Sequence, residues 1–399
     1  KETEKLEKNK VKGFVTGVLC TVLVGGGIFG GRYVLSNKDH AVNQESVQKA
    51  KAIESLIDKY YLDKIDNDEL ESYLYKGLMA GLGDPYSTYY TAEEYKELTE
   101  DTEGVYRGIG VTMQKDVSTG AVTVVKCFEG APGAEAGLQP QDQLVKVNGE
   151  DITDKELSEV VKMIKTSESD TVTLTILREG ESDYREVEVT LDTVEAPMVE
   201  HEMLDNKIGY ITINQFAETT ASQYETALED LNNQGMERLI VDVRDNPGGL
   251  LTSVCDVLDS MLPEELLVYT EDKNGKKNEY NATGTDQFDK PMVILVNGNS
   301  ASAAEIFSGA LQDYKVAKLV GTTTFGKGIV QQIFNLSDGS AVKMTISKYY
   351  TPSGRCIHGT GLDPDIEVDL PDELKNQVSI DKSEDTQLQK AIETVKEMK

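Results

Sequence analysis

The sequence predicts a layered α/β body preceded by a β-rich module, an N-terminal helical region and one transmembrane helix. Three observations carry this expectation. Residues 193–370 alternate strand-like and helix-like runs, the pattern of a layered α/β domain. Residues 104–192 are dense in short strand-like runs. From Gly13 to Gly31 the stretch "GFVTGVLCTVLVGGGIFGG" carries no charge, which is near the length that spans a bilayer. At 399 residues the chain is too long for a single compact core and fits two or three domains.

Composition narrows the function classes. A hydrophobic content of 39% and a charged content of 28% fit a folded body. The net charge of −30 argues against nucleic acid as a partner, because phosphate-backbone binding needs basic stripes. None of the four cysteines, Cys20, Cys127, Cys255 and Cys356, forms a C-x-x-C pair, so neither a zinc site nor a thioredoxin motif is indicated.

The elements follow in order. Residues 1–12 hold Lys5, Lys8, Lys10 and Lys12, which place this tail in the cytoplasm by the positive-inside rule. Residues 13–35 form the anchor, and everything after it lies outside the cytoplasm on a single-pass cell-membrane protein. A cleaved signal peptide is the rival. The apolar stretch is long for one and no A-x-A follows, so an uncleaved anchor is expected. Gly25 to Gly30 matches G-x-G-x-x-G, but inside a membrane segment the pattern is no dinucleotide signal.

Residues 36–100 form the helical region. Val47, Ala50, Ile53, Leu56 and Ile57 recur at helical spacing. "LESYLYKGLMAGL" follows and stops at Gly83-Asp84-Pro85, and "TAEEYKEL" starts a helix capped by Thr91. Ser46-Val-Gln-Lys49 matches S-x-x-K, the penicillin-binding nucleophile motif, but lacks a K-T-G partner and reads as chance.

Residues 101–192 form the β-rich module. "GIGVTM", "AVTVVKCF", "DQLVKVNGE", "TVTLTILRE" and "REVEVTL" are strand-like, with one helix at "DKELSEVVKMIKT". The run "APGAEAGLQPQDQLVKVNGEDI" resembles a PDZ domain. The resemblance implies a module that holds a peptide C-terminus by adding it as a strand to a sheet edge. By position the carboxylate-binding loop is Arg107 with Gly108, Ile109, Gly110 and Val111. Val160, Val161 and Ile164 are candidates for a pocket wall, and some of them must face the core instead.

Residues 193–370 supply the α/β body, and residues 371–399 a polar tail with a final helix, "DTQLQKAIETVKEM". Within the body, "NGNSASAAEIFSGA" sets Ser300 and Ser302 between an apolar strand and a helix. A serine nucleophile needs a base at neutral pH. His40 lies beside the anchor, His201 in an acidic stretch, and only His358 is placed plausibly. No G-x-S-x-G elbow occurs, which argues against an α/β-hydrolase triad.

Lysine is the alternative. An unperturbed amine is neutral in only about one molecule in two thousand at pH 7, so a lysine base needs apolar surroundings. Lys327 in "LVGTTTFGKGIVQQIF" has no acidic neighbour in sequence, whereas most other lysines do. Gln331, four residues on, can aim the amine without charging it. Oxyanion donors are expected from Gly248 and Gly249 of "DNPGG" and from the N–H of Ala303. Ser302-Ala-Ala-Glu305 also fits a capping box, so Ser302 has a structural reading as a helix N-cap.

"VNGNSASAAEIFSGAL", "GTTTFGKGIVQ", "KYYTPSGRCIHGTGLDPDIEV", "DVRDNPGG" and "GLGDPYSTYYTAEEY" together resemble the carboxyl-terminal processing peptidases, or tail-specific proteases. The similarity runs from about residue 45 onward, with the PDZ module in its expected place. It implies a crotonase-like peptidase core and a serine–lysine dyad. Ser302 falls at the nucleophile, Lys327 at the base, Gln331 at the orienting amide, and Gly248 and Ala303 at the oxyanion donors. It implies a protein substrate with a free C-terminus and neither metal nor organic cofactor. The helical ends resemble the family's dimerising segments, which raises a homodimer or higher homo-oligomer as an expectation. A PDZ adaptor without catalysis is the alternative.

Overall fold

A computed structural model describes residues 40–116, 119–284, 288–375, 377 and 380–398. The expected cytoplasmic tail and transmembrane segment lie outside the described residues. Among the described residues no helix is long and apolar enough to cross a membrane. The chain forms two compact units. One takes residues up to Tyr95 together with Gln331–Thr345, and the other takes Lys96–Val330 with Ile346–Lys399.

In the first unit the expected helices form at Gln44–Tyr60 and Asn67–Ala80. Asn43 caps the first by accepting from the N–H groups of Glu45 and Ser46, and the Ser46 hydroxyl accepts the Asn43 N–H at 2.8 Å. Ser46 therefore serves a helix end, which accounts for it without S-x-x-K chemistry. Neither helix buries a residue. Strand Thr88–Tyr90 pairs antiparallel with residues 341–343, and Tyr75 packs on Tyr89 at 5.1 Å between ring centroids. Thr91 caps its helix as expected, with the Glu94 carboxylate reaching back to the Thr91 N–H at 2.9 Å.

The second unit begins with the β-rich module. Strands Val111–Lys115, Val122–Cys127, Gln143–Val147, Thr171–Leu177 and Arg185–Thr190 neighbour one another in that order. Their inward residues Val124, Val147, Val172, Leu174, Ile176 and Val189 are fully buried. Helix Leu157–Lys165 covers them with Val160 and Ile164, both in the core. Val161 faces outward into a cleft, whose floor Ile164 also lines. The sequence left that choice open; the helical turn decides it, because adjacent residues sit about 100° apart. A separate ribbon, Val105–Gly108 paired with Asp192–Glu195, joins the module to the body. Gln223 fixes this junction by accepting from the N–H groups of Met198 and Val199 and donating to the Ala196 carbonyl.

The body is a six-stranded sheet. Its order is Val199–Leu204, Ile208–Ile213, Arg238–Asp242, Met292–Val296, Ala317–Gly321 and Ile366–Glu367. The first pair is antiparallel and the rest are parallel. Parallel strands are covered on both faces and so read as continuous apolar runs; Met292–Val296 is buried at every residue. One face carries helices Thr220–Asn233, Leu251–Asp259 and Ala303–Asp313.

The other face corrects an expectation. Helix Thr386–Glu397, expected as part of a polar tail, lays Leu388, Ala391 and Val395 against Ile240, Val293, Leu295 and Val320. Its apolar residues recur at i, i+3 and i+7 within a polar sequence, enough for one buried stripe. Arg244 fastens its start. The guanidinium bonds Asp242 at 2.6 Å, Asp385 at 2.9 Å and the Gln387 amide oxygen at 3.0 Å. Burial alone would disfavour the charge, but the two carboxylates hold Arg244 well above its ordinary range.

Candidate active site

The buried strand Met292–Val296 runs into a turn and then into helix Ala303–Asp313. That helix is buried from Ala303 to Leu311, because Ala303, Ala304, Ser308, Gly309 and Ala310 let neighbours close in. The turn is built by side chains. The Ser300 hydroxyl donates to the Val243 carbonyl at 2.7 Å and accepts the Asn297 N–H at 3.0 Å. Asn297 and Asn299 both donate to the Asp245 carboxylate. Ser300 is thus fully buried and spent on the turn, while Ser302 is half-buried.

Ser302 has φ 55° and ψ −114°, a region that side chains rarely adopt. Its peptide groups are pinned on both sides. The N–H donates to Glu305 Oε2 at 2.9 Å. The carbonyl accepts from the N–H groups of Glu305 and Ile306 and from the Tyr349 hydroxyl at 3.0 Å. Burial, and then the Glu305 carboxylate, push the Tyr349 phenol far above its ordinary value, so it stays a donor. The Glu305 side of the expected capping box is present, but it is only part of what Glu305 does.

Glu305 is fully buried. Oε2 accepts the N–H of Ser302 and that of Lys327, both at 2.9 Å. Oε1 accepts the Thr324 hydroxyl at 2.6 Å and the Gly326 N–H at 2.8 Å. The Ser302 turn and the Lys327 loop therefore meet on one carboxylate. Lys327 itself is half-buried. Its sequence neighbours are free of acid, yet the fold brings one to its backbone from another segment.

The Lys327 loop packs closely on residues 357–361. Gly326 O accepts the Gly359 N–H, and Gly328 O accepts the Tyr349 N–H. A Cβ at Gly328 would lie 2.6 Å from the His358 nitrogen, so that glycine is required by the approach. His358, the best-placed histidine in sequence, supplies backbone here while its side chain is exposed. His201 pairs with Asp230 at 2.9 Å and holds that carboxyl below its usual range. His40 is exposed in the first unit.

The expected oxyanion donors are brought together with one change. Gly248 lies against Ser302 and Ala303. A Cβ there would sit 2.7 Å from Ser302 Cβ and 2.9 Å from the Ala303 nitrogen. However, the Gly248 N–H donates to Asn246 Oδ1 at 2.8 Å, within an Asn-Pro-Gly turn, so that donor is spent. The buried Asn246 is itself fixed by donating to the Ile213 carbonyl at 2.7 Å. The Gly248 carbonyl accepts the Phe216 N–H, and a trans peptide points its N–H the opposite way. The Gly249 N–H is therefore turned away from the Phe216 segment. Among the described residues, neither the Gly249 nor the Ala303 N–H has an acceptor. Gln331 belongs to the first unit, on strand Ile329–Asn335, where its amide donates to the Thr345 hydroxyl at 3.3 Å.

A "Carboxy-terminal processing protease CtpA" of Bacillus subtilis (strain 168) is 35% identical over 364 residues, covering 90% of this chain and 77% of that one. The chain belongs to peptidase family S41. The family model matches residues 207–368, which hold five of the sheet's six strands, Ser302 and the Lys327 loop. A "Probable CtpA-like serine protease" of Staphylococcus aureus (strain COL) is 35% identical over 366 residues, covering 90% of this chain and 73% of that one. In fold alone, the S41 chain resembles a solved S41-type protein of Bacteroides fragilis NCTC 9343. That likeness has a TM-score of 0.54 at 18% identity, over 84% of this chain and 92% of the other.

This S41 protein is a serine protease of the carboxyl-terminal processing family and carries a PDZ domain, matched at residues 125–178. The PDZ cleft, about 120 Å³, lies between Gly108–Val111 and Val161. Gly110, at φ 66°, turns the chain there. Among the described residues the N–H groups of Ile109 and Gly110 donate to no acceptor, although their carbonyls accept from Gly133 and Phe128. This cleft is where the sequence placed the loop that takes a peptide end.

Proposed function

We propose that the protein is a membrane-anchored endopeptidase that cleaves proteins outside the cytoplasm with a Ser302–Lys327 dyad. What carries the dyad is the single oxygen of Glu305 that bonds both the Ser302 and the Lys327 backbone N–H groups. Neutral Lys327 removes the Ser302 proton as Oγ bonds to the peptide carbonyl carbon. The oxyanion rests on the N–H groups of Ala303 and Gly249, with Gly248 leaving the space. The C–N bond then breaks, and the amine leaves with the proton held by Lys327. Water attacks the acyl ester, Lys327 takes its proton, and Ser302 Oγ is released with a proton. Gln331 is the proposed orienting amide.

The open N–H groups of Ile109 and Gly110 support capture of the free C-terminus of a substrate tail. The uncharged stretch Gly13–Gly31 behind Lys5, Lys8, Lys10 and Lys12 supports the anchor and the extracytoplasmic side.

A fluorophosphonate probe should label the wild-type protein and leave Ser302→Ala unlabelled. Equal labelling of that variant would place the nucleophile elsewhere. Amidating the C-terminus of an unstructured substrate should raise KM by about tenfold, the loss of one charge-assisted contact. Unchanged turnover of the amidated substrate would remove tail capture from the mechanism.

A further inference from the structure

Resting on the dyad reading, we propose that Glu305 is a positioning residue that sets the Ser302 turn and the Lys327 loop in register for catalysis. A capping box would need only its bond to the Ser302 N–H. The other three donors, from Thr324, Gly326 and Lys327, come from 19 to 22 residues further along the chain. An ionised carboxylate offers about four acceptor sites and no donor. Here all four partners are donors, two on each oxygen. The match is between one acceptor-only group and two segments that meet elsewhere through the Phe325 N–H on the Ser300 carbonyl and through Tyr349, which bonds Gly328 and Ser302; Glu305 alone ties the Ser302 N–H to the Lys327 N–H.

The geometry makes this a relay of position. The strained Ser302 backbone aims Oγ, and Glu305 holds that backbone by its N–H. The same oxygen fixes where the Lys327 backbone begins, and hence the reach of its amine. Thr324 adds a second tie, because its hydroxyl donates to Glu305 while accepting the Leu362 N–H at 2.7 Å. A glutamine at position 305 keeps the shape but turns an NH₂ toward two donors. That breaks the register while both reacting side chains are still present.

The test measures the rate and the extent of fluorophosphonate labelling in the full chain. Glu305→Gln should label to full stoichiometry with a rate constant about a hundredfold lower, the size of effect that a misplacement of about 1 Å produces. Thr324→Val should be slowed less, and Thr324→Ser should label at nearly the wild-type rate. Wild-type rate in Glu305→Gln overturns the proposal. So does a reduced labelled fraction at the wild-type rate, which marks a residue needed only for folding. If Glu305→Gln does not fold, the Thr324 pair decides: slow valine with fast serine supports the relay, and no difference overturns it. Ser302→Ala is labelled in parallel; if it reacts like wild type, the dyad reading fails, whatever Glu305 does.

Discussion

Lys327→Ala lowers kcat on an unstructured protein by roughly 10³-fold or more, with the fold intact by circular dichroism. The size follows from the base problem. Without a proton acceptor the Ser302 hydroxyl is a weak nucleophile at neutral pH. Lys327→Arg should be equally inactive, because a guanidinium keeps the charge and the length but does not release its proton in proteins. This pair separates a base from a mere positive charge. If arginine restored turnover, Lys327 would be an electrostatic group and the proton would have to go elsewhere.

Gly248→Ala is the second large effect. Two penalties coincide at this position. The backbone φ of 104° is disfavoured for any L side chain. The added methyl would meet Ser302 Cβ at 2.7 Å, the Ala301 carbonyl at 2.8 Å and the Ala303 nitrogen at 2.9 Å. The expected loss is about 2–4 kcal/mol in stability and about 10²-fold or more in kcat. Gly275→Ala is the control, since φ is 78° and nothing lies within 4 Å. It should cost only about 1 kcal/mol and leave kcat alone. Thermal melts and steady-state kinetics on both variants check this. A Gly248→Ala enzyme with full activity would show that the space beside Ser302 is not needed.

Local patterns in the sequence identified elements whose physics is local. Helical spacing located Gln44–Tyr60, and the apolar run located Met292–Val296, because both periodicities survive without tertiary context. Ser302 was singled out from Ser300 by the family resemblance, and Lys327 by its surroundings and the same resemblance. Glu305 was not, because a glutamate three residues after a serine already has a sufficient local explanation as a cap. Its bonds to Thr324, Gly326 and Lys327 exist only once the loop folds over. The stretch around Lys327 is acid-free in sequence, yet Glu305 reaches the Lys327 backbone N–H from another segment. Gly248 lies beside Ser302 and Ala303, but the direction of its N–H depends on the Asn246 side chain. Composition gives no such direction. Helix Thr386–Glu397 was expected as part of a polar tail, since three apolar residues facing the sheet, with Gln387 and Thr394 buried beside them, barely alter a polar composition.

The Arg244 cluster has a consequence for timing. Arg244 sits at the end of a central strand, and its partners Asp385 and Gln387 come 141 and 143 residues later. Until those residues emerge, a guanidinium destined for burial has only Asp242 to match it, and Ile240, Val293, Leu295 and Val320 lack their cover. Closures over such long separations are slow and late in folding. The sheet that positions Ser302 is therefore incomplete for most of synthesis. A chain cut short before residue 385 would therefore carry the Ser302 and Lys327 motifs on a sheet with one face uncovered.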